Sequence, residues 1–203
     1  MPTATLEALV LDSPPPRRKL WTRADCEALA SLEAFHAERL ELIEGELIEK
    51  MSKSALHSFT LALLVRWLAS VFGHPFVQQE PSIDVSPEDH PTNQREPDII
   101  VLTKPMDDFA WREPGPSEIR LLVEVSRSTL REDVGVKARL YARAGFPDYW
   151  VADIKNRCVH VHCEPANGVY QSVLVYAAHE DLSPLATPDA TLRAGSLFPP
   201  PIA

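Results

Sequence analysis

The sequence predicts an α/β fold in which a mixed β-sheet is flanked by helices. Two long helical segments, 55–72 and 130–144, are separated and flanked by segments with the alternating or β-branched patterns of strands. The chain has 203 residues, a length that suits one domain with a substantial core. Hydrophobic residues make up 45% and charged residues 24%, so the composition is globular and excludes wholesale disorder.

The helices are indicated by their ends. Thr22 has the side chain of an N-cap and begins a short helix. The segment 55–72 is apolar almost all round and stops at Gly73, so we expect a largely buried helix. The segment 130–144 stops at Gly145, where a proline follows closely.

Alternating and β-branched patterns predict the strands. Residues 39–49 alternate on both sides of Gly45, which predicts a β-hairpin with its turn at that glycine. Further strands are predicted at 76–85, 97–102, 119–125, 149–152, 158–163 and 169–176. Residues 103–118 are rich in proline and aspartate and are predicted to form a loop.

Proline triplets lie near both ends of the chain, at 14–16 and 199–201. Such triplets favour extended, mobile backbone. We therefore expect a mobile N-terminal segment at 1–20, one domain at 21–196 and a proline-rich tail at 197–203.

Charge and cysteine content exclude several classes of protein. The net charge of −9 argues against non-specific coating of nucleic acid, although residues 120–143 have a local excess of basic side chains. Arg66 interrupts the longest apolar stretch, so we expect no membrane span, and the N-terminus lacks a secretory pattern. Three cysteines without metal-type spacing fit a reduced, cytoplasmic protein. Only seven glycines, and no phosphate-cradling loop, make nucleotide-loop enzymes a poor match.

Two carboxylates stand in apolar strands. Glu124 lies in the middle of Leu-Leu-Val-Glu-Val, and Asp98 heads Asp-Ile-Ile-Val-Leu. A carboxylate in such a strand must be paired, bound to a metal or shifted in pKa, because burying a bare charge is costly. The two could hold one hard cation such as Mg²⁺. The alternatives are an arginine partner for Glu124 and a turn position for Asp98.

The helix after Glu124 adds a third element. Asp133, Lys137 and Tyr141 are each four residues apart and share one helical face. If the helix folds back on the strand, Lys137 points at the carboxylates, where its ammonium could orient a water and offset phosphate charge. The alternative is an Asp133–Lys137 ion pair on the helix surface.

Two upstream residues complete the candidate set. Glu46 follows the hairpin glycine and could supply another metal oxygen, although a hairpin glutamate is usually solvated. His57 is near the start of the helix 55–72 and is a candidate for the pocket. A capping or core histidine is the alternative interpretation.

A second possible metal motif lies in the strand 158–163. Cys158, His160 and His162 alternate on one face, and histidines at i and i+2 can share a zinc ion. No fourth ligand is obvious nearby, so a solvated strand face is the favoured interpretation.

The order of these residues resembles a known family. The chain contains Glu-Leu-Ile-Glu-Gly-Glu46, His57, Glu-Pro-Asp98, Val-Glu-Val-Ser126 and then Asp133-x3-Lys137-x3-Tyr141-Ala-x-Ala-Gly-x-Pro-x-Tyr-Trp150. This pattern is similar to the Uma-two family of bacterial restriction endonucleases, related to the PD-(D/E)XK nuclease superfamily. The resemblance covers roughly residues 20–195. It implies a restriction-endonuclease-like core and Mg²⁺-dependent phosphodiester hydrolysis, with Mn²⁺ able to substitute.

The resemblance also implies roles for individual residues. Asp98 and Glu124 match the acidic metal ligands, and Lys137 matches a lysine that the superfamily places two residues after the glutamate, where this chain has Ser126. Glu46 and His57 match the upstream hairpin and helix positions. DNA is the implied substrate, a homodimer is expected because enzymes that cut both strands often pair, and no membrane partner is expected.

Two other functions remain open from the sequence. One is a nuclease-fold module that binds nucleic acid or a partner without cutting, which predicts weak metal binding. The other is a different metal-dependent hydrolase, or a structural protein, on the same scaffold. Convergence of the Asp98, Glu124 and Lys137 side chains would favour the nuclease, because a binding module does not need a buried glutamate beside a lysine.

Overall fold

A six-stranded mixed sheet forms the centre of the computed structural model, which describes residues 18–32, 40–50 and 53–200. Its strands follow one another in space in chain order. They are β3 (Val77–Gln79), β4 (Ile99–Leu102), β5 (Ile119–Ser126), β6 (Asp148–Asp153), β7 (Cys158–Ala166) and β8 (Val169–Tyr176). Strands β5 and β6 are parallel, and the other neighbours in this sheet are antiparallel. The predicted α/β fold with a mixed, helix-flanked sheet is confirmed.

The N-terminal elements follow their local signals. Helix α1 (Arg23–Ala30) begins with a capping box, in which Thr22 and Asp25 satisfy each other's backbone N–H groups. Strands β1 (Leu40–Ile43) and β2 (Glu46–Glu49) form the predicted hairpin. Its turn residues Glu44 and Gly45 both have positive φ, at 48° and 78°, the conformation that suits a two-residue hairpin turn.

Helix α2 (Ala55–Phe72) packs on one face of the sheet. Thr60, Leu61, Leu64 and Leu68 are its buried residues, and the three leucines join a core with Trp150. The expectation of a largely buried helix is wrong, because the opposite face is exposed and includes Leu56 and Phe59. By length and composition α2 could cross a membrane, with a mean hydropathy of 1.5; here its leucine face packs against the sheet.

The segment 130–144 forms one helix, α3, on the other face. It consists of an α-helical turn (Leu130–Glu132), a π-helical turn (Asp133–Lys137) and a second α-helical part (Ala138–Ala144). Ala138, Leu140, Tyr141 and Ala142 pack against Ile100 and its neighbours in a second core. Helix α3 connects the parallel strands β5 and β6, as a crossover between parallel strands requires. The sequence predicted this helix but gave no sign of its wide π turn.

One boundary and two groups of short elements differ from the sequence predictions. The strand predicted at 76–85 ends at Gln79, and only Ile83 forms a further bridge, with Arg95, since Pro81 cannot donate to a ladder. Two short 3₁₀ helices, Met106–Phe109 and Pro116–Glu118, occupy part of the predicted loop. Two short strands, β9 (Asp181–Leu182) and β10 (Leu192–Arg193), pair near the C-terminus.

The packed part of the chain extends past the predicted boundary at 196. Leu197 and Phe198 are buried against the core of helix α2, with 1% and 4% of their surface exposed. Their apolar side chains explain why they do not belong to the tail. Most of the predicted N-terminal segment 1–20, and residues 201–203, lie outside the described residues.

Candidate active site

A cleft of about 940 Å³ opens between the hairpin β1–β2, the start of helix α2, the ends of β4 and β5, and helix α3. Asp98, Glu124, Lys137 and His57 all line it. The sheet brings the first two together, because the antiparallel register pairs Ile99 with Val123 and so sets Asp98 beside Glu124.

Asp98 is held by three neighbours. Lys53 Nζ lies 2.9 Å from Oδ1, and His57 Nε2 lies 3.2 Å from Oδ2. The backbone N–H of Val125 donates to Oδ2 at 2.8 Å, while Lys53 also contacts Glu80. Burial alone would raise the pKa of Asp98, but these contacts, first of all those of His57, outweigh it and hold the pKa at about 2. Asp98 is therefore ionised at neutral pH.

Glu124 is contacted from helix α3. Lys137 Nζ lies 3.0 Å from Oε1, and the Tyr141 hydroxyl donates to the same oxygen at 3.2 Å. Lys137 also pairs with Asp133 at 2.7 Å. Burial would lower the pKa of Lys137, but the Glu124 and Asp133 carboxylates raise it, so the ammonium stays charged. As the sequence predicted, Lys137 lies on the buried side of the helix and contacts Glu124.

A fully buried arginine lies behind Glu124. Arg95 has no exposed surface, and its guanidinium lies 3.3 Å from Glu41 and 3.7 Å from Glu124. Its centre stands 5.7 Å from the centroid of the Tyr141 ring, within cation–π range. Arg95 therefore ties the glutamate of β1 to the glutamate of β5.

A chain of contacts fixes the ammonium of Lys137. Thr129 Oγ1 donates to Asp133 Oδ2 at 2.7 Å, and the hydroxyl of Tyr149 donates to the Asp133 carbonyl oxygen at 2.9 Å. Asp133 is thus held in position by side-chain and backbone contacts of its own, in addition to its ion pair with Lys137. Such supporting contacts keep a functional group in one position.

The buried part of the site carries more negative than positive charge. Its buried carboxylates are Glu41, Asp98, Glu124 and Asp133, and its buried cations are Arg95 and Lys137. Burial, together with Asp133 and Asp98, raises the pKa of Glu124 from 4.5 to about 7, although Lys137 and Arg95 oppose the shift. A divalent cation would balance the two extra carboxylates. Oxygen donors of this kind are the ligands that Mg²⁺ prefers, so the residues fit the ion.

Comparison with known proteins identifies the family. The sequence model of the Uma2 (Uma-two) family, whose description is "Putative restriction endonuclease", matches residues 26–195, most of the chain. The chain belongs to the Uma2 family. The resemblance noted from the sequence is confirmed.

A solved structure supports the fold of this Uma2 protein. A chain described as a putative nuclease belonging to DUF820 from Anabaena variabilis ATCC 29413 superposes with a TM-score of 0.65 at 18% identity. The match covers 87% of the Uma2 chain and 97% of the other. At this identity the likeness shows the fold, including its mixed sheet and flanking helices. The search of curated proteins found no match.

One predicted site residue of the Uma2 chain lies apart from the cluster. The carboxylate of Glu46 is 60% exposed and lies 3.6 Å from Arg18, and Glu46 does not line the cleft. It begins β2, where it is paired with Ile43 at the turn end of the hairpin. Glu41, from the first strand of the same hairpin, contributes the buried carboxylate instead.

Sequence reasoning missed several members of the site. Glu41, Lys53 and Arg95 each contact a partner more than forty residues away or on another strand. One available signal was Arg95, a charged residue just before the Glu-Pro-Asp98 segment. Its burial depends on the hairpin β1–β2 covering it, which no local pattern reveals.

The arginines of the basic segment 120–143 have different surroundings. Arg143 pairs with Glu44 and Asp89 and so ties helix α3 to the hairpin side. Arg127, Arg131 and Arg139 line the cleft and form no ion pair within the described ranges. All three arginines are exposed at the cleft.

The face of strand β7 that was predicted to be solvated is largely covered. Cys158 and His162 are buried, and His162 lies between the rings of Tyr149 and Tyr170, at 5.3 and 5.7 Å between centroids. Burial lowers the pKa of His162 to about 4, so it is neutral. The aromatic side chains packed on that face exclude the solvent that the alternating pattern suggested.

Proposed function

We propose that this protein is a Mg²⁺-dependent endonuclease that hydrolyses phosphodiester bonds of DNA. The observation that carries the proposal is the convergence of Asp98, Glu124 and Lys137 in one cleft of a Uma2 protein. A buried carboxylate beside a buried ammonium is costly to the fold, and it is expected where a metal and a phosphate must be handled together.

Each residue has a distinct part in the proposed reaction. Mg²⁺, when bound, supplies Lewis acidity to a phosphate and lowers the pKa of a water. Asp98 and Glu124 would hold the ion, and His57 and Lys53 orient the Asp98 carboxylate. Lys137 offsets the charge that develops on the phosphate oxygens. Tyr141 fixes the orientation of Glu124 through Oε1.

The arginines at the cleft supply the contacts to the backbone of the substrate. Arg127, Arg131 and Arg139 are suited to phosphate groups because guanidinium binds two oxygens at once. These contacts position a strand without reading its sequence. The net charge of the chain, −9, keeps the rest of the surface unattractive to nucleic acid.

Plasmid cleavage tests the proposal. Wild-type protein is expected to nick or linearise plasmid DNA with Mg²⁺ or Mn²⁺, and to bind Ca²⁺ without turnover. Asp98→Asn and Glu124→Gln should abolish cleavage, while Glu164→Gln, an exposed glutamate on β7, should not. Cleavage that persists undiminished in excess chelator would contradict the proposed mechanism. Single-stranded DNA and RNA of the same sequence test the preference for DNA, and Glu46→Gln tests the role implied by resemblance.

The alternative is a nuclease-fold module that binds nucleic acid or a partner without cutting. It is favoured by one observation: Lys53, His57 and Lys137 already contact the two carboxylates in the structure. Calorimetric titration decides between the two. DNA binding without Mg²⁺ binding, and without cleavage, would support the module.

The enzyme is further proposed to act as a homodimer in the cytoplasm, without a membrane partner. Strand β8 lies at the edge of the sheet, and Val173, Leu174 and Val175 are each about half exposed there, at 51–53%. Exposed apolar edges pair readily with another chain. Light scattering should give a dimer for wild type and for Gln171→Lys, and a monomer for Leu174→Lys. A monomeric wild type at every concentration tested would exclude this arrangement.

A further inference from the structure

Three side chains of metal-ligating types meet at the turn end of the β6–β7 hairpin, outside the candidate active site. They are Asp153, Cys158 and His160, whose ligand atoms all lie within 4.8 Å of one another. Asp153 and Cys158 are paired across the two strands, and His160 is two residues farther along β7. The sequence predicted Cys158 and His160 as possible zinc ligands. Asp153 is brought beside them by the pairing of β6 with β7, which the sequence pattern did not reveal.

The separations of His160 from the other two side chains are close to those of ligands around one metal ion. His160 Nε2 lies 3.7 Å from Cys158 Sγ and 3.8 Å from Asp153 Oδ2. An N–O separation of 3.8 Å is too long for a hydrogen bond. Two ligands bound to one tetrahedral zinc ion lie about 3.4–3.6 Å apart, given its usual bond lengths. Both separations from His160 are within a few tenths of an ångström of these values, and all three ligand atoms lie within 4.8 Å of one another.

The support for these ligands is already built. Asn156 donates its backbone N–H to Asp153 Oδ1 at 3.1 Å and its side-chain amide to Oδ2 at 2.6 Å. A carboxylate oriented in this way is a typical support for a metal ligand. Asp153 and Cys158 are buried, whereas the His160 side chain is 19% exposed. Its exposure leaves a route for an ion and for a fourth ligand from solvent.

The donor set selects a different metal from the active site. One thiolate, one imidazole and one carboxylate suit Zn²⁺ and its neighbours in the transition series, whereas Mg²⁺ requires oxygen ligands. His160 faces Val151, which in turn faces Glu124, so the two sites are two strand spacings, about 10 Å, apart. One ion cannot serve both.

We propose that Asp153, Cys158 and His160 form a zinc site with one position open to solvent, which joins the ends of β6 and β7. This inference goes beyond the proposed nuclease function and does not depend on it. Bound zinc stabilises the folded chain, because the unfolded chain does not hold the three ligands together.

Metal titration of the full-length protein tests the site. After dialysis against Zn²⁺, wild type should retain one equivalent of zinc. With Co²⁺ it should show a thiolate-to-cobalt charge-transfer band and the visible absorption of tetrahedral cobalt. Cys158→Ser should abolish the band, and His160→Gln should weaken zinc binding by about tenfold or more. Cys163→Ser, on the opposite face of β7, is the matched control and should keep both signals.

The outcomes separate this site from the active site. Retention of the signals in Glu124→Gln supports the inference whatever becomes of the nuclease activity. The inference is overturned if wild type gives no charge-transfer band, if the band persists in Cys158→Ser, or if Glu124→Gln removes it. Circular dichroism checks the fold of each variant. If Cys158→Ser does not fold, His160→Gln decides, because that side chain is partly exposed.

Discussion

Replacing Glu124 with glutamine is expected to make the metal-free protein more stable above neutral pH. Glutamine keeps the shape of the side chain and imitates the protonated acid. The buried site raises the pKa of Glu124 from 4.5 to about 7. Each pKa unit corresponds to about 1.4 kcal/mol, so ionised Glu124 costs the folded state about 3 kcal/mol. The Gln variant avoids this cost, while Lys137 keeps Asp133 as its partner.

The pH dependence of this gain has a definite sign. Below the unfolded pKa, Glu124 is protonated in the folded and the unfolded chain, so wild type and variant should have equal stability. As the pH rises towards 7, the unfolded wild type ionises first, and the wild type loses stability relative to the variant. The gain is complete above the folded pKa. In a chain of this size it corresponds to a melting temperature higher by about 6–12 °C.

Urea unfolding without metal, at about pH 5 and about pH 8, measures the difference directly. Adding Mg²⁺ should then raise the melting temperature of wild type and leave Glu124→Gln unchanged, because the variant lacks a ligand. The exposed Glu164→Gln serves as the control and should behave as wild type. A loss of about 3 kcal/mol or more in metal-free buffer at the higher pH would refute the reasoning. It would mean that Glu124 is chiefly the structural partner of Arg95 and Lys137.

Three further predictions concern the site and the core. Binding of Mg²⁺ below neutral pH should release protons, because Glu124 must ionise; titration heats that do not change between buffers of different ionisation enthalpy would contradict this. Lys137→Met should abolish cleavage but keep Mg²⁺ binding, measured by plasmid assay and calorimetry, and a variant that still cuts at the wild-type rate would exclude the lysine from the reaction. Leu64→Ala should lower the free energy of unfolding by about 2–5 kcal/mol because Leu64 is fully buried. The exposed Ala62→Ser, on the same helix, should change it by less than about 0.5 kcal/mol in urea, and equal effects would contradict the packing of α2.

Features with a local cause could be predicted from the sequence. The burial of Glu124 followed from its apolar strand, and the inward face of Lys137 and Tyr141 followed from their helical spacing. The hairpin turn at Gly45 followed from its residues. In each case the relevant neighbours are within one or two turns or strands of the chain.

Features with a distant cause could not be predicted. Arg95 is buried because Glu41 and Glu124 approach it from two other strands. Helix α2 is apolar all round, yet composition cannot say how much of its surface the sheet will cover. The π-helical turn likewise depends on how helix α3 is fitted between the sheet and the cleft.

Because of the π-helical turn Asp133–Lys137, the number of residues between Glu124 and Lys137 matters as much as which residues they are. Each residue of a helix adds a rotation of about 100°. The π turn already holds one residue more than an α-helical turn, so a further insertion into it, or a deletion from the adjoining α-helical turn Leu130–Glu132, would rotate Lys137 away from Glu124. All the residues of the site would still be present in the sequence. Between Glu124 and Lys137 the protein should therefore accept many substitutions but hardly any insertion or deletion.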